Sequence, residues 1–354
     1  MKVRSLTFHV PIRFLKDFSI KVPIIRDVVK DVSMKHGLDV WSFRLAVDPQ
    51  RLRDLFNFID FIDDISDIFD YYAIPIKIDE TAEIDLIVNL LRDYEKLFLS
   101  LSGGFNEFLF FRDILFKVKD KLCLESFVKL SFTFGGYLLT PYFPSASAGD
   151  SIIISASMLY VDALIDAVKH GISLSEAILN CVKHVKSFLI DVADQLSVRS
   201  IGLDLSISPW MNESVVDLIE VFGGISFGGI GTRSSIYGIN ECLRFASSRE
   251  HSSIGFNELM LPYAEDSKLM ILGGEGLLSA YDLLSLSSVC VAGFDMVVLP
   301  NMDKAPLDLF LRDVYSVLSV KGRPCGVRVI LSDGVYGDVA DLGFIGKAPV
   351  LKLF

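Results

Sequence analysis

The sequence predicts an α/β fold, built from parallel βα units in one domain spanning residues 1–354. Three observations carry that expectation. Apolar, β-branched runs recur and stop at proline or small polar residues. Segments of helical periodicity lie between them. No Ser/Gly/Pro-rich linker or low-complexity tract divides the chain.

The runs are WSFRLAVDP (41–49), YLLTPYFP (137–144), IGLDLSISP (201–209), NELMLPYAED (257–266) and DMVVLPN (295–301). Each reads as a buried strand whose tip feeds a loop at one end of the sheet, where ligands bind in such folds. Between them, Leu52, Leu55, Phe56, Ile59, Ile62, Ile65 and Phe69 form one helical stripe. Ser173 and Glu176 have capping-box spacing ahead of AILNCVKHVKSFLI, and Gly171 closes the helix before them. The stretch 80–130, rich in Phe and Leu with mixed charge, reads as a helical subdomain or an interface segment.

Composition narrows the function. Hydrophobic residues make up 51% and charged residues 22%, which predicts a large buried core. A net charge of −11 argues against nucleic-acid binding, which needs clustered cations. Five scattered cysteines without a CxxC pair read as reduced thiols of a cytoplasmic protein. The opening MKVRSLTFHVPIRF regains charge too early for a signal peptide. Paired glycines and prolines in LSFTFGGYLLTPYFPSASAG (130–149) argue against a membrane span.

The motifs narrow it further. FGGISFGGIGTRSSI (222–236) lacks the lysine of a Walker loop and the third glycine of a dinucleotide fingerprint. A glycine turn remains, opening a helix at Thr232, whose free N–H groups and Arg233 would suit an anion. The competing reading is close packing that only glycine permits. Asp63, Asp64 and Asp67 match a DDxxD pattern, but beside a Leu/Ile/Phe stripe they read as a solvated helix face. The histidines show no HExxH, no serine sits in a GxSxG elbow, and no NAD, haem or zinc motif occurs.

Carboxylates at or beyond the apolar runs are the better candidates: Asp48, Asp204, Glu265, Asp266 and Asp303. Asp204, Glu265 or Asp266 could act as general base or hold a divalent cation through oxygen. Arg44 or Arg233 could grip a carboxylate or phosphate, with Ser145, Ser206, Gly229, Gly231 and Thr232 as further ligand contacts. Each acid taken singly reads equally as a cap or turn former.

Several segments together resemble a known family. SVVDLIEVFGGISFGGIGTRSSIYGINECLR, LMLPYAEDSKLM, SSVCVAGFDMVVLPN and VRVILSDGVYGDVADLGFIGKAPVL are similar to the domain-of-unknown-function 711 family, also called uncharacterised protein family 0210. TPYFPSASAGDSIIISASMLYVDAL and WSFRLAVDP match its earlier segments, and this chain looks shorter than the usual bacterial members. The resemblance implies a ten-stranded α/β barrel like that of pyruvate formate-lyase, a homodimer, and an ACT-type regulatory protein as partner. The glycyl radical motif of that fold is missing, because Arg328-Val329 runs into Ile330-Leu331 rather than a small residue and glycine. Neither Cys290 nor Cys325 sits where a thiyl-forming cysteine would be expected. The expected function is therefore a non-radical enzyme acting on a small anionic metabolite in a pocket at the barrel mouth. The alternative is a non-catalytic metabolite sensor or a homodimeric assembly partner of an ACT-type regulatory protein. In the barrel fold FGGISFGGIGT is expected to run from a helix end through a barrel strand to the next helix, its glycines letting backbone approach the interior and Thr232 and Arg233 lining one end of the cavity.

Overall fold

The computed structural model describes residues 1–79, 83–289 and 293–354. Ten strands form one sheet: β1 (Lys2–His9), β2 (Phe43–Ala46), β3 (Gln50–Arg51), β4 (Tyr71–Lys77), β5 (Leu97–Ser102), β6 (Leu130–Phe134), β7 (Ile153–Leu159), β8 (Ser200–Asp204), β9 (Gly293–Leu299) and β10 (Cys325–Leu331). Their order is β8-β7-β1-β2-β4-β5-β6-β10-β9, with β3 beside β4. The run from β1 to β6 is parallel, as βα connections require. It meets β7–β8 and β9–β10, each a parallel pair, through antiparallel contacts at β1/β7 and β6/β10. A small hairpin, β11 (Val339–Asp341) and β12 (Lys347–Pro349), stands apart.

Strand alternation separates two faces. The outer face (Val3, Leu6 and Phe8 of β1; Tyr72, Ile74 and Ile76 of β4; Leu99 and Leu101 of β5) packs into the main core with the helices. The inner face is small or hydroxylated: Ser5, Thr7, Ala46, Ala73, Ser100, Ser131, Thr133, Ser155 and Ser157 are all buried. These small residues make room for a loop, 140–148, which is itself buried throughout. Buried loop backbone needs hydrogen-bond partners, and the inner face supplies them. Ser5 Oγ donates to the Pro141 carbonyl at 3.3 Å. His9 Nδ1 lies 2.8 Å from the Ser147 carbonyl, and its Nε2 lies 2.6 Å from Ser155 Oγ.

Two of the runs expected as strands are therefore not ladder strands. YLLTPYFP enters this interior loop, with a cis Phe143–Pro144 bond. NELMLPYAED belongs to an extended segment that follows the chain beyond β8. There Ile254 N donates to the Leu203 carbonyl at 2.9 Å, Met260 N to Ile207 at 2.9 Å, and Met211 N to Glu265 at 2.7 Å. The 3-10 turn Tyr263–Glu265 then packs against β9. The regular ladder stays open between β8 and β9, with this segment lying in the gap.

The glycine stretch likewise holds no strand. Helix Val215–Gly223 ends at Gly224, and helix Thr232–Arg249 begins after Gly231. Gly224 (φ 61°), Gly228 (φ 86°) and Gly231 (φ 97°) all take left-handed backbone, so the residues between turn repeatedly instead of extending. Of the stretch 80–130, residues 80–82 lie outside the described residues. The rest holds helices Ile84–Asp93 and Phe105–Lys121 around β5, which pairs on both sides within the main sheet. Ser173 caps helix Leu174–Gln195 through Glu176 N at 3.3 Å. No helix among the described residues is long and apolar enough to cross a membrane.

Candidate functional site

The inner face encloses a cavity of about 370 Å³. Arg4 of β1, Arg44 of β2, Tyr71 of β4, Phe98 of β5, Ser131 of β6, Asp295 of β9 and Arg328 of β10 all line it. Residues from distant places in the strand order thus meet at one space, so the sheet is strongly curled. Ser145 and Phe143 of the interior loop, Trp41, Trp210, Glu265 and Phe344 complete much of the wall.

Two irregularities deliver the charges. The β1/β7 register shifts between Val3 and Ser5, and the β9/β10 register shifts between Val327 and Val329. A bulge re-aims side chains that strict alternation would send to the other face. Arg4 is the extra residue in the first; Arg328 lies opposite Asp295 and Met296 in the second. Met296 has φ 54°, an uncommon conformation for a non-glycine residue.

Both arginines converge on Glu265. Arg4 Nη2 donates to Oε2 at 2.5 Å, and Arg328 Nη2 to Oε1 at 2.9 Å. Arg328 also grips Asp295 with Nε and Nη2, at 2.7 and 2.9 Å. Arg4 Nη1 donates to Ser208 Oγ at 2.7 Å and to the Pro209 carbonyl. Its guanidinium lies 5.9 Å from the Trp41 ring centre and 5.4 Å from that of Trp210. Burial alone would raise the Glu265 pKa, but Arg328 and Arg4 reverse that and hold it below the ordinary carboxylate value. Glu265 is thus an ionised brace between β1 and β10.

Arg44 differs. Its Nε donates to Ser42 Oγ at 3.0 Å, and among the described residues neither Nη has a protein acceptor and no carboxylate pairs with it. The guanidinium sits 5.1 Å from the Phe143 ring centre and 6.0 Å from that of Tyr71. Burial, then repulsion from Arg4, lowers its pKa to about 10. At neutral pH it is still a cation.

The other residues singled out by sequence fall in three places. Ser145 lines the cavity beside Arg44 and accepts from Thr133 Oγ1 at 2.8 Å. Asp204 and Ser206 lie deep in the structure away from its lining. Asp204 accepts from Thr140 Oγ1 (2.7 Å), Ser206 Oγ (2.6 Å), Phe256 N (2.9 Å) and Asn257 N (3.1 Å), tying the extended segment to β8. A Cβ at Gly255 would run into its carboxylate. Asp266 caps helix Ser267–Gly274 through Lys268 N at 2.9 Å, and accepts from Ser214 Oγ at 2.7 Å.

Gly229, Gly231, Thr232 and Arg233 form the turn on the helical side and do not line the cavity. Thr232 Oγ1 donates to the Gly229 carbonyl at 2.9 Å and accepts from Gly228 N at 3.0 Å, so its hydroxyl and one N–H of the turn are already paired. Exposed Arg233 donates to Ser285 Oγ at 2.6 Å. Asp48 accepts from Ile12 N at 2.6 Å, an ordinary turn contact. Cys290 lies outside the described residues. Among the described residues no three His, Cys, Asp or Glu side chains are grouped to hold a metal.

Sequence reasoning passed over Arg4, Asp295 and the two tryptophans, and read Arg328 only as a test of the radical motif. Their signal was a charge within an apolar run, KVRSLTFH and CGVRVIL, which costs free energy unless something inside pairs with it.

Comparison with known proteins agrees with the segments quoted above. The family described as Uncharacterised ACR (DUF711) matches residues 140–342. A UPF0210 protein of Sulfurisphaera tokodaii is 30% identical over 167 residues, covering 46% of this chain and 38% of that protein. One from Pelobacter propionicus is 30% identical over 169 residues, covering 46% and 37%. UPF0210 protein MK1214 of Methanopyrus kandleri is 30% identical over 172 residues, covering 46% and 37%. The aligned stretch therefore spans well under half the length of these relatives. With Glu265, Asp295 and Arg328 all inside the family match, the chain belongs to the DUF711 family.

Proposed function

We propose that this chain binds a small anionic metabolite inside the curled sheet, with Arg44 as its anchor. The observation that carries the reading is the Arg44 guanidinium, turned to a cavity without a carboxylate partner. Half-burying a cation without a carboxylate partner strips part of its water at a cost, and a bound anion would offset that cost. The extended segment 252–266 supports a barrel-like enclosure, because it bonds to the chain beyond β8 and packs on β9.

The geometry favours binding over proton-transfer catalysis by the acids chosen from sequence. Glu265 is held ionised between two arginines, Asp204 accepts bonds on both oxygens, and Asp266 caps a helix. None is a free base facing the ligand space. The metabolite-sensor alternative therefore fits the site better than the enzyme reading does.

A thermal-shift screen of small carboxylates and phosphates tests the proposal. A ligand that binds only the folded state raises its melting temperature. At least one anion should stabilise the wild type and leave Arg44→Met unmoved. Equal responses in the two proteins would overturn the assignment.

A further inference from the structure

We infer that the occupant is a singly charged carboxylate with an apolar, ring-sized body and no ammonium group. The inference rests on the anion-pocket reading above and names its ligand class.

Charge balance comes first. Three carboxylates line the cavity: Asp70, Glu265 and Asp295. Each already has a guanidinium, from Arg26 (3.3 Å), from Arg4 and Arg328, and from Arg328 respectively. Against these stand Arg4, Arg26, Arg44 and Arg328. One positive charge is left over, and it belongs to Arg44. A monoanion neutralises it. A dianion would leave a buried negative charge, and a zwitterionic amino acid would leave the positive charge in place while its ammonium found every lining carboxylate taken.

Donor geometry agrees. A phosphate site gathers several N–H groups at a helix start or glycine turn. Here the helix that starts beside Glu265, Ser267–Gly274, has its first N–H groups occupied by Asp266. The free Nη edge of one guanidinium suits the planar, two-oxygen face of a carboxylate.

The remaining wall fits a ring. Tyr71 and Phe98 lie edge-to-face at 5.2 Å, Phe98 and Phe143 at 5.6 Å, and Phe344 closes over Tyr71 at 5.4 Å. Aromatic edges and faces at these separations pack favourably against a further ring. At about 30 Å³ per water-sized group, the cavity holds roughly a dozen non-hydrogen atoms.

Calorimetric titration with 3-phenylpropionate, L-phenylalanine, phenyl phosphate and inorganic phosphate tests the class. The first two differ by one ammonium group, and the third carries a doubly charged head. 3-Phenylpropionate should bind at least tenfold more tightly than the other three. Arg44→Met should weaken it at least tenfold, and Arg44→Lys, which keeps the charge but loses the fork, by less. If phenyl phosphate, inorganic phosphate or L-phenylalanine binds as tightly as 3-phenylpropionate, and does so through Arg44, the class is wrong while the anion pocket stands. If no probe shows Arg44-dependent binding, both readings fall.

Discussion

The glycine turn at 224–231 and the arginine-lined interior both suggest anion sites, and they differ in what is left unsatisfied. At the turn, Thr232 bonds to Gly228 N and the Gly229 carbonyl, and Arg233 reaches Ser285. Its glycines are explained by left-handed backbone alone. In the interior, two arginines, one of them placed by a bulge in β1, meet on one glutamate, and a third guanidinium has no carboxylate partner among the described residues. Backbone freedom by itself is weak evidence of a ligand. A half-buried cation with no carboxylate partner is stronger, because folding strips part of its water at a cost.

The sharpest way to break that contrast is to remove the brace. Glu265→Gln leaves Arg4 and part of Arg328 without their shared partner, and should cost about 3–5 kcal/mol in urea denaturation. Because the folded-state pKa of Glu265 is depressed, its contribution is present above its ordinary value of 4.5. It is lost as pH falls through the lower folded value. The stability gap between wild type and variant should narrow over that range; a gap independent of pH would refute the ion-pair account.

The interior loop offers the next effect. Burial, only partly offset by its bond to Ser147, lowers the His9 pKa from 6.5 to about 4. The folded state therefore resists protonation, and stability should fall by about 3 kcal/mol as pH drops from 6.5 to 4. His9→Gln should flatten that slope, and an unchanged slope would assign the acid lability elsewhere.

The smallest effect belongs to the turn. At Gly231, φ is 97° and an added Cβ would lie 3.0 Å from Ile225 Cγ2. Gly231→Ala should cost about 1–2 kcal/mol without altering anion binding. Arg233→Ala should change neither stability by more than about 0.5 kcal/mol nor affinity. Loss of ligand response in either variant would move the site back to the turn.

Alternation of apolar runs with helical stretches made the α/β class and the single large sheet's βα units legible in the sequence. The runs 137–144 and 257–266 misled because burial, not strand pairing, makes them apolar: one fills the sheet's interior and the other lies in its open edge. Ranking the site was harder. Asp204, Glu265 and Asp266 all look alike as acids after apolar runs, and only their partners separate a staple, a brace and a cap. Arg44 and Ser145 were visible as polar residues near strand ends. Arg4 and Asp295 were not, because bulges in β1 and β9 reverse the alternation from which inward and outward positions are read, whereas Arg328 follows the regular alternation of β10 and was read only for the radical motif.

The most direct test is the melting of Arg44→Met beside wild type, with and without 3-phenylpropionate. The variant, freed of a half-buried cation without a carboxylate partner, should be at least as stable as ligand-free wild type, by up to about 1 kcal/mol, and should not respond to the ligand. A variant that melts lower without ligand, or gains as much from it as the wild type does, would contradict the claim that Arg44 is held in place for an anion.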